Sequence, residues 1–318
     1  MTPSAELEAV VMGRVGADLY PNQIGTPLAE VRTYTRYAGG FATNVATGLA
    51  RLGVSVAIVS KVGDEGHGEF IRNFLDSEGV DVRWLGTDQE NLTPIVFCEV
   101  APPDHFPLLF YRRPTAPDWE LTVDDIDVEE MARIPLMFIS GTGLAREPSR
   151  QTTLTSALAH EGTTVFDLDW RPSVWDEPSN YAEVASIVIE GADVVMGNEE
   201  ELRAALDADD AEKAANVLIE RGVETVIMKR GGMGVVCFRG DDRLDVPPIE
   251  TEVMNGLGAG DAFAAALGHG LLRGFPMEKT LRRANAAGAM VASQLPCSEA
   301  MPSDHDITAF LQSNSGKD

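Results

Sequence analysis

Short apolar runs alternate with amphipathic stretches along much of the chain. Residues 165–169 (Val-Phe-Asp-Leu-Asp), 193–197 (Asp-Val-Val-Met-Gly), 225–228 (Thr-Val-Ile-Met) and 235–238 (Val-Val-Cys-Phe) each read as a strand. Residues 54–59 and 136–140 read the same way, and 198–205 reads as the helix after the second run. Continuous apolar strands between amphipathic helices predict a largely parallel sheet covered on both faces, an α/β fold. Ligands of such sheets sit beyond the carboxyl ends of the strands. Those ends carry Ser140-Gly141-Thr142-Gly143, Asp169, Asn198, Lys229 and Gly231.

Two stretches break the alternation. Residues 13–40 are loop-rich, with a β-like piece at 31–34, and 94–113 carry alternating apolar residues around Val96, Cys98, Val100 and Phe110. The pattern allows either ordinary surface hairpins or one small β-rich flap over the sheet edge, and the flap is preferred. Residues 313–318 are expected to fray.

Composition narrows the function classes. Apolar residues make up 44% of 318, enough for a sizeable core. No stretch approaches the about 20 apolar residues of a membrane span. Met-Thr-Pro-Ser-Ala-Glu is not the start of a signal peptide, so a cytoplasmic location is expected. Three widely spaced cysteines suggest neither a disulfide framework nor a zinc site. The net charge of −25 argues against a nucleic-acid partner. It also means that any anion site must be built locally.

Four segments carry candidate chemistry. Asn255-Gly-Leu-Gly-Ala-Gly-Asp261 precedes an apolar helix, 262–272, that stops at Gly274. Glycines before a buried helix leave backbone N–H groups bare at a positive helix end, an anion hole. Asp261 at its mouth can take the proton of an attacking hydroxyl. Ala38-Gly39-Gly40 leads into a helix with Val45, Leu49 and Leu52 on one face; it is either a plain loop–helix junction or a place where Asn44 grips a sugar hydroxyl. Asn198-Glu-Glu-Glu201 is either a capped acidic first turn or a pair holding a Mg²⁺-bound water. Asp167-Leu-Asp169-Trp-Arg171 sets two carboxylates at alternate strand positions before an arginine that bridges phosphate or merely pairs locally. There is no P-loop motif, metalloprotease motif or nucleophile elbow, and Gly258-Ala-Gly260 lacks the third glycine of a dinucleotide fingerprint.

In this order, Gly-Gly-x-x-x-Asn, Asp-x-Asp-x-Arg, Asn-x-x-Glu and Gly-Ala-Gly-Asp resemble the PfkB carbohydrate kinases over nearly the whole chain, from residue 10 to about 311. The resemblance implies one ribokinase-like domain over 1–318. That is a three-layer α/β/α sandwich with a small β-sheet lid from about 14–40 and 94–113, and a homodimer through the lid. It implies ATP and Mg²⁺, with Asp261 as base and Gly258, Ala259 and Gly260 as anion hole. Arg171 would neutralise phosphate charge, and Asn198 and Glu201 would position Mg²⁺. Lys229, Gly231, Gly234 and Asn285 would lie on the nucleotide side. Asp18, Gly39, Gly40, Asn44 and Asp169 would lie on the sugar side.

Residues 13–21, 97–107, 141–144 and 167–172 are similar to members that act on keto-deoxy sugar acids. Such a carboxylate needs a cation, best an arginine. Arg112 on the lid is the first candidate, unless it is simply a solvated charge, with Arg14 and Arg36 behind it. Many members have Asp-Thr where this chain has Asn255-Gly256, which puts a monovalent-cation site in doubt. A non-catalytic sensor is the contrasting reading, and the intact Gly-Ala-Gly-Asp argues against it.

Overall fold

The computed structural model describes residues 6–314. The first five residues and 315–318, most of the tail expected to fray, lie outside the described part; Ser313 and Asn314 are helical. The strands are β1 (Ala9–Met12), β2 (Gly16–Pro21), β3 (Tyr34–Gly39), β4 (Val56–Gly63), β5 (Asp81–Asp88), β6 (Ile95–Cys98), β7 (Leu108–Tyr111), β8 (Leu136–Ser140), β9 (Thr163–Asp167), β10 (Val194–Asn198), β11 (Thr225–Lys229), β12 (Val235–Arg239) and β13 (Asp242–Val246). The helices are α1 (Phe41–Arg51), α2 (Gly66–Ser77), α3 (Val128–Ala132), α4 (Ser149–Ala159), α5 (Tyr181–Ile189), α6 (Glu199–Leu206), α7 (Ala211–Glu220), α8 (Ala259–Leu272), α9 (Met277–Ala292) and α10 (Asp304–Asn314).

Nine strands form one sheet in the order β13-β12-β11-β10-β9-β8-β1-β4-β5. All are parallel except β12 and β13 at one edge. The period of two along each strand splits the core. Val11, Ile58, Phe138, Met196 and Ile227 pack under α1, α2, α8, α9 and α10. Val10, Val59, Met137, Ile139, Phe166 and Met228 pack under α4, α5, α6 and α7. The result is the three-layer α/β/α sandwich the pattern predicts. Each large side chain so buried contributes about 1.5–3 kcal/mol. No helix among the described residues is long and apolar enough to cross a membrane.

A second sheet of four strands, β3-β2-β6-β7, stands over the carboxyl ends of the first. Its inner face carries Asp18, Tyr20, Val96, Cys98 and Phe110, and Leu19, Phe97 and Leu109 point outward by register. Tyr20 and Cys297 tie it to the loop beside α8 by a 2.8 Å Oη–Sγ contact.

Two local expectations need correction. Of residues 31–34, only Tyr34 is in a strand; the N–H groups of Arg32 and Thr33 donate to the Gln23 side-chain oxygen instead of to a neighbouring strand. Asp167 and Asp169 are not alternate positions of one strand. β9 ends at Asp167, and Asp169 sits in a bend with φ of 33°.

Candidate active site

The loop before α8 is locked by backbone bonds. The N–H groups of Met254 and Asn255 both donate to the Ala292 carbonyl. The Asn255 amide donates to the Leu295 carbonyl at 2.7 Å, and its oxygen accepts the Leu257 N–H at 3.1 Å. That oxygen already accepts one hydrogen bond and carries no charge, unlike the Asp common at this position. Gly258 has φ of +77°, and a Cβ there would lie 2.7 Å from the Cys297 sulfur, so only glycine fits. No side chain caps α8. The amides of Ala259, Gly260 and Asp261 are thus left for an anion at the positive helix end.

Asp261 stands in the first turn of α8, half-buried. Asn44 Nδ2 donates to its Oδ2 at 2.7 Å. The two are brought together because α1 and α8 pack closely. Gly48 of α1 faces Ala265 of α8 so tightly that a Cβ on the glycine would lie 2.6 Å from the alanine Cβ. Desolvation pushes the Asp261 carboxyl up to about 7, helped by the negative charges of Asp169 and Asp167 and opposed by the Asn44 bond and Lys229. The group is poised to change protonation near neutral pH, which suits a general base.

Around Asp261 lies a cavity of about 340 Å³ bordered by Asp167, Asp169, Arg171, Glu201, Lys229, Gly256, Leu257, Gly258 and Gly260. Lys229 Nζ lies 3.2 Å from Asp167, whose proton affinity is raised by burial and by Glu201 and Asp169. Asp169 accepts from Thr142 Oγ1 at 2.9 Å and from Arg171 Nε at 3.0 Å. Burial would raise its carboxyl, but Arg171 and Arg14 hold it below the usual range.

Asn198 and Glu201 resolve as a capping box. Asn198 Oδ1 accepts the Glu201 N–H at 2.9 Å, and Glu201 Oε2 accepts the Asn198 N–H at 2.7 Å. Glu201 borders the cavity and Asn198 does not, so the metal-positioning role expected for Asn198 is not supported: its oxygen caps α6. Among the described residues, no three His, Cys, Asp or Glu side chains converge to enclose a metal ion. The Glu201 carboxylate at the cavity border is a hard-oxygen donor of the kind magnesium takes when phosphates supply most of its ligands.

On the lid side, Asp18 is buried with Oδ1 unpartnered, and burial and Asp261 raise its carboxyl to about 6 against the pull of Arg14. It packs on Gly39, where any side chain would strike the carboxylate. Gly40, with φ of +98°, lies against the Arg14 carbonyl and turns the chain into α1. Asn44 Oδ1 is also unpartnered.

The leading candidate for a carboxylate clamp fails. Arg112 is buried, bonds both oxygens of Asp118 at 2.9 Å and stacks 3.6 Å over Trp119. Its charge is spent inside the protein. Arg36 lies exposed over the Phe70 ring, beside His67.

A second cavity, about 870 Å³, adjoins the first and shares Lys229, Gly256 and Gly260 with it. Gly231, Gly234, Asn285 and residues 248–253 border it. Asn285 Nδ2 donates to the Pro247 carbonyl at 2.8 Å. Inside the 94–113 stretch, sequence reasoning gave no contacts to the turn at 102–107. The β6–β7 turn lays Pro103 on the larger cavity and Asp104 and Phe106 on the smaller, with Phe106 packed on Gly256.

A helix end with bare amides, a carboxylate in its first turn and two adjoining cavities beside a second sheet have the chemistry that phosphoryl transfer to a hydroxyl calls for. Residues 7–304 match the pfkB family carbohydrate kinase model, and the chain belongs to that family. It is an enzyme class that phosphorylates a sugar hydroxyl. Among curated relatives, the 5-dehydro-2-deoxygluconokinase of Clostridium beijerinckii is 34% identical over 96% of this chain and 93% of its own length. That of Geobacillus kaustophilus is 33% identical over 96% and 94%. The fructokinase of Vibrio cholerae, solved with fructose, ADP and calcium bound, superposes with a TM-score of 0.86 at 24% identity over 96% of this chain and 99% of that one, which shows a common fold.

Proposed function

We propose that this protein transfers the γ-phosphoryl of ATP to a primary hydroxyl of 5-dehydro-2-deoxy-D-gluconate. The identity of the substrate is supported by the relatives that carry that activity in their name. The chemistry is carried by one observation: the Asp261 carboxylate, held by Asn44, lies beside bare amides where the two cavities meet.

The nucleotide occupies the larger cavity, along Gly231, Gly234 and Asn285, and the sugar acid lies between Asp261, Asp18 and the lid. Asp261 takes the proton of the hydroxyl as its oxygen bonds the γ-phosphorus. The bond from that phosphorus to the β-γ bridging oxygen breaks, and ADP leaves. The amides of Ala259, Gly260 and Asp261, with Lys229 and Arg171, face the charge that builds on the equatorial oxygens. Glu201 would hold magnesium, which neutralises charge on the phosphates when bound. Asp104 and Phe106 close the site against water.

The outward face of the lid, with Leu109 46% and Tyr111 59% exposed, suits a homodimer through the lid. A cytoplasmic location goes with ATP as the donor.

A substrate panel at fixed Mg·ATP tests the reading, scored by ADP release and by the phosphorylated sugar. The expected order of kcat/KM is 5-dehydro-2-deoxy-D-gluconate first, 2-keto-3-deoxygluconate well behind, and ribose, fructose and nucleosides last. A different leader reassigns the substrate, and no sugar-dependent ADP release rejects the kinase reading.

A further inference from the structure

The structure leaves one guanidinium beside the inner face of the lid without an ion-pair partner. Arg112 is matched by Asp118, Arg171 by Asp169 and Lys229 by Asp167. Among the described residues, Arg14 makes no ion pair; its Nε, like that of Arg112, is buried without a hydrogen-bond partner, and Arg112 alone of the two has a carboxylate on its other nitrogens. A buried guanidinium N–H without an acceptor costs desolvation energy that something must offset.

Its position says what that something touches. Arg14 follows β1, an interior strand of the nine-stranded sheet, and its carbonyl accepts the Ala42 N–H at the head of α1. Its guanidinium lies 5.3 Å from the centre of the Phe110 ring on the inner face of the lid. Its charge reaches both Asp18 and Asp169. It is therefore framed by the lid, by α1 and by the two carboxylates that flank Asp261. The other unpartnered groups there, Asp18 Oδ1 and Asn44 Oδ1, are acceptors. They suit hydroxyls and repel an anion, so the anionic end of a substrate belongs at Arg14.

We infer that Arg14 is the residue that reads the carboxylate of the sugar acid and so sets the preference for acids over neutral sugars. The inference rests on the proposed function. A guanidinium presents a planar fork that a carboxylate can accept, and the Phe110 ring limits how that fork can turn. With Asp18 and Asp169 nearby, the region is left acidic once Arg14 is removed. Removal of Arg14 therefore penalises an anionic substrate twice, by the lost bonds and by exposed repulsion.

The test compares the full-length protein with Arg14→Gln and Arg14→Lys on two acceptors: 5-dehydro-2-deoxy-D-gluconate and its C1 carboxamide, which keeps the shape and loses the charge. Thermal midpoints of the variants establish that they are folded. Arg14→Gln is expected to lose about 10–100-fold in kcat/KM on the acid, mostly in KM, and less than about threefold on the amide. Arg14→Lys keeps part of the preference, because it restores charge without the fork. Equal losses on acid and amide in both variants overturn the inference while leaving the kinase assignment in place. Wild-type protein that turns over neither compound overturns the substrate reading, and the inference with it.

Discussion

Asn44→Ala offers the sharpest test of how the base is held. The Asn44 amide donates to Asp261 Oδ2 at 2.7 Å and is one of the influences that keep its carboxyl from rising above about 7. A hydrogen bond to an ionised group is worth about 1.5–3 kcal/mol, or about one to two pH units. Its loss raises the free-enzyme value further by that amount. The base works only when deprotonated, so the acid limb of kcat/KM moves to higher pH. At pH 7 the ionised fraction falls from about a half to between about a tenth and a hundredth, a loss of about 5–50-fold. The assay is kcat/KM for the sugar acid from pH 5.5 to 9.5 at saturating Mg·ATP. Loss of a sugar contact by the same side chain lowers the whole curve without moving its midpoint, and the two effects separate. An acid limb that stays within about 0.3 units of wild type refutes the claim that Asn44 tunes Asp261.

Other outcomes follow from the same geometry. Arg112→Ala leaves Asp118 buried without its cation and should destabilise the fold by about 3–5 kcal/mol in urea titration, with no selective loss of acid over amide turnover. Gly258→Ala forces a Cβ against Cys297 at a left-handed backbone position and should cut kcat by at least about tenfold, read in steady-state kinetics. The folded value of Asp261 lies above its ordinary value of 3.8. The native state therefore binds the proton more tightly, and stability declines as pH rises from about 4 to about 7. Asp261→Asn should then raise the thermal midpoint at pH 8 by about 2–5 °C and leave it unchanged near pH 4, by scanning calorimetry.

The sheet was legible because buried parallel strands must be apolar throughout, and residues 136–140 and 225–228 show that plainly. The head of α8 was legible because bare amides and a left-handed N-cap demand glycine in a fixed place. What was hidden depends on pairs distant in sequence or on lid geometry. Asn44 and Asp261 are 217 positions apart, and no local pattern announces their bond. Asp118 lies only six residues beyond Arg112, yet strand and helix periodicity give no reason to pair them across the bend that follows β7. Arg112 therefore looked like a lid charge. Asn198 has the sequence of a capping residue and the reach of a ligand, and only the direction of its oxygen decides.

The central claim is that the Asp261 carboxylate accepts the proton of the sugar hydroxyl. Single-turnover phosphoryl transfer to 5-dehydro-2-deoxy-D-gluconate by Asp261→Asn, alongside ATP affinity of the same protein, tests it most directly. A rate reduced by about 10²–10⁴-fold with ATP affinity near wild type is the predicted result. A rate within a few-fold of wild type contradicts it.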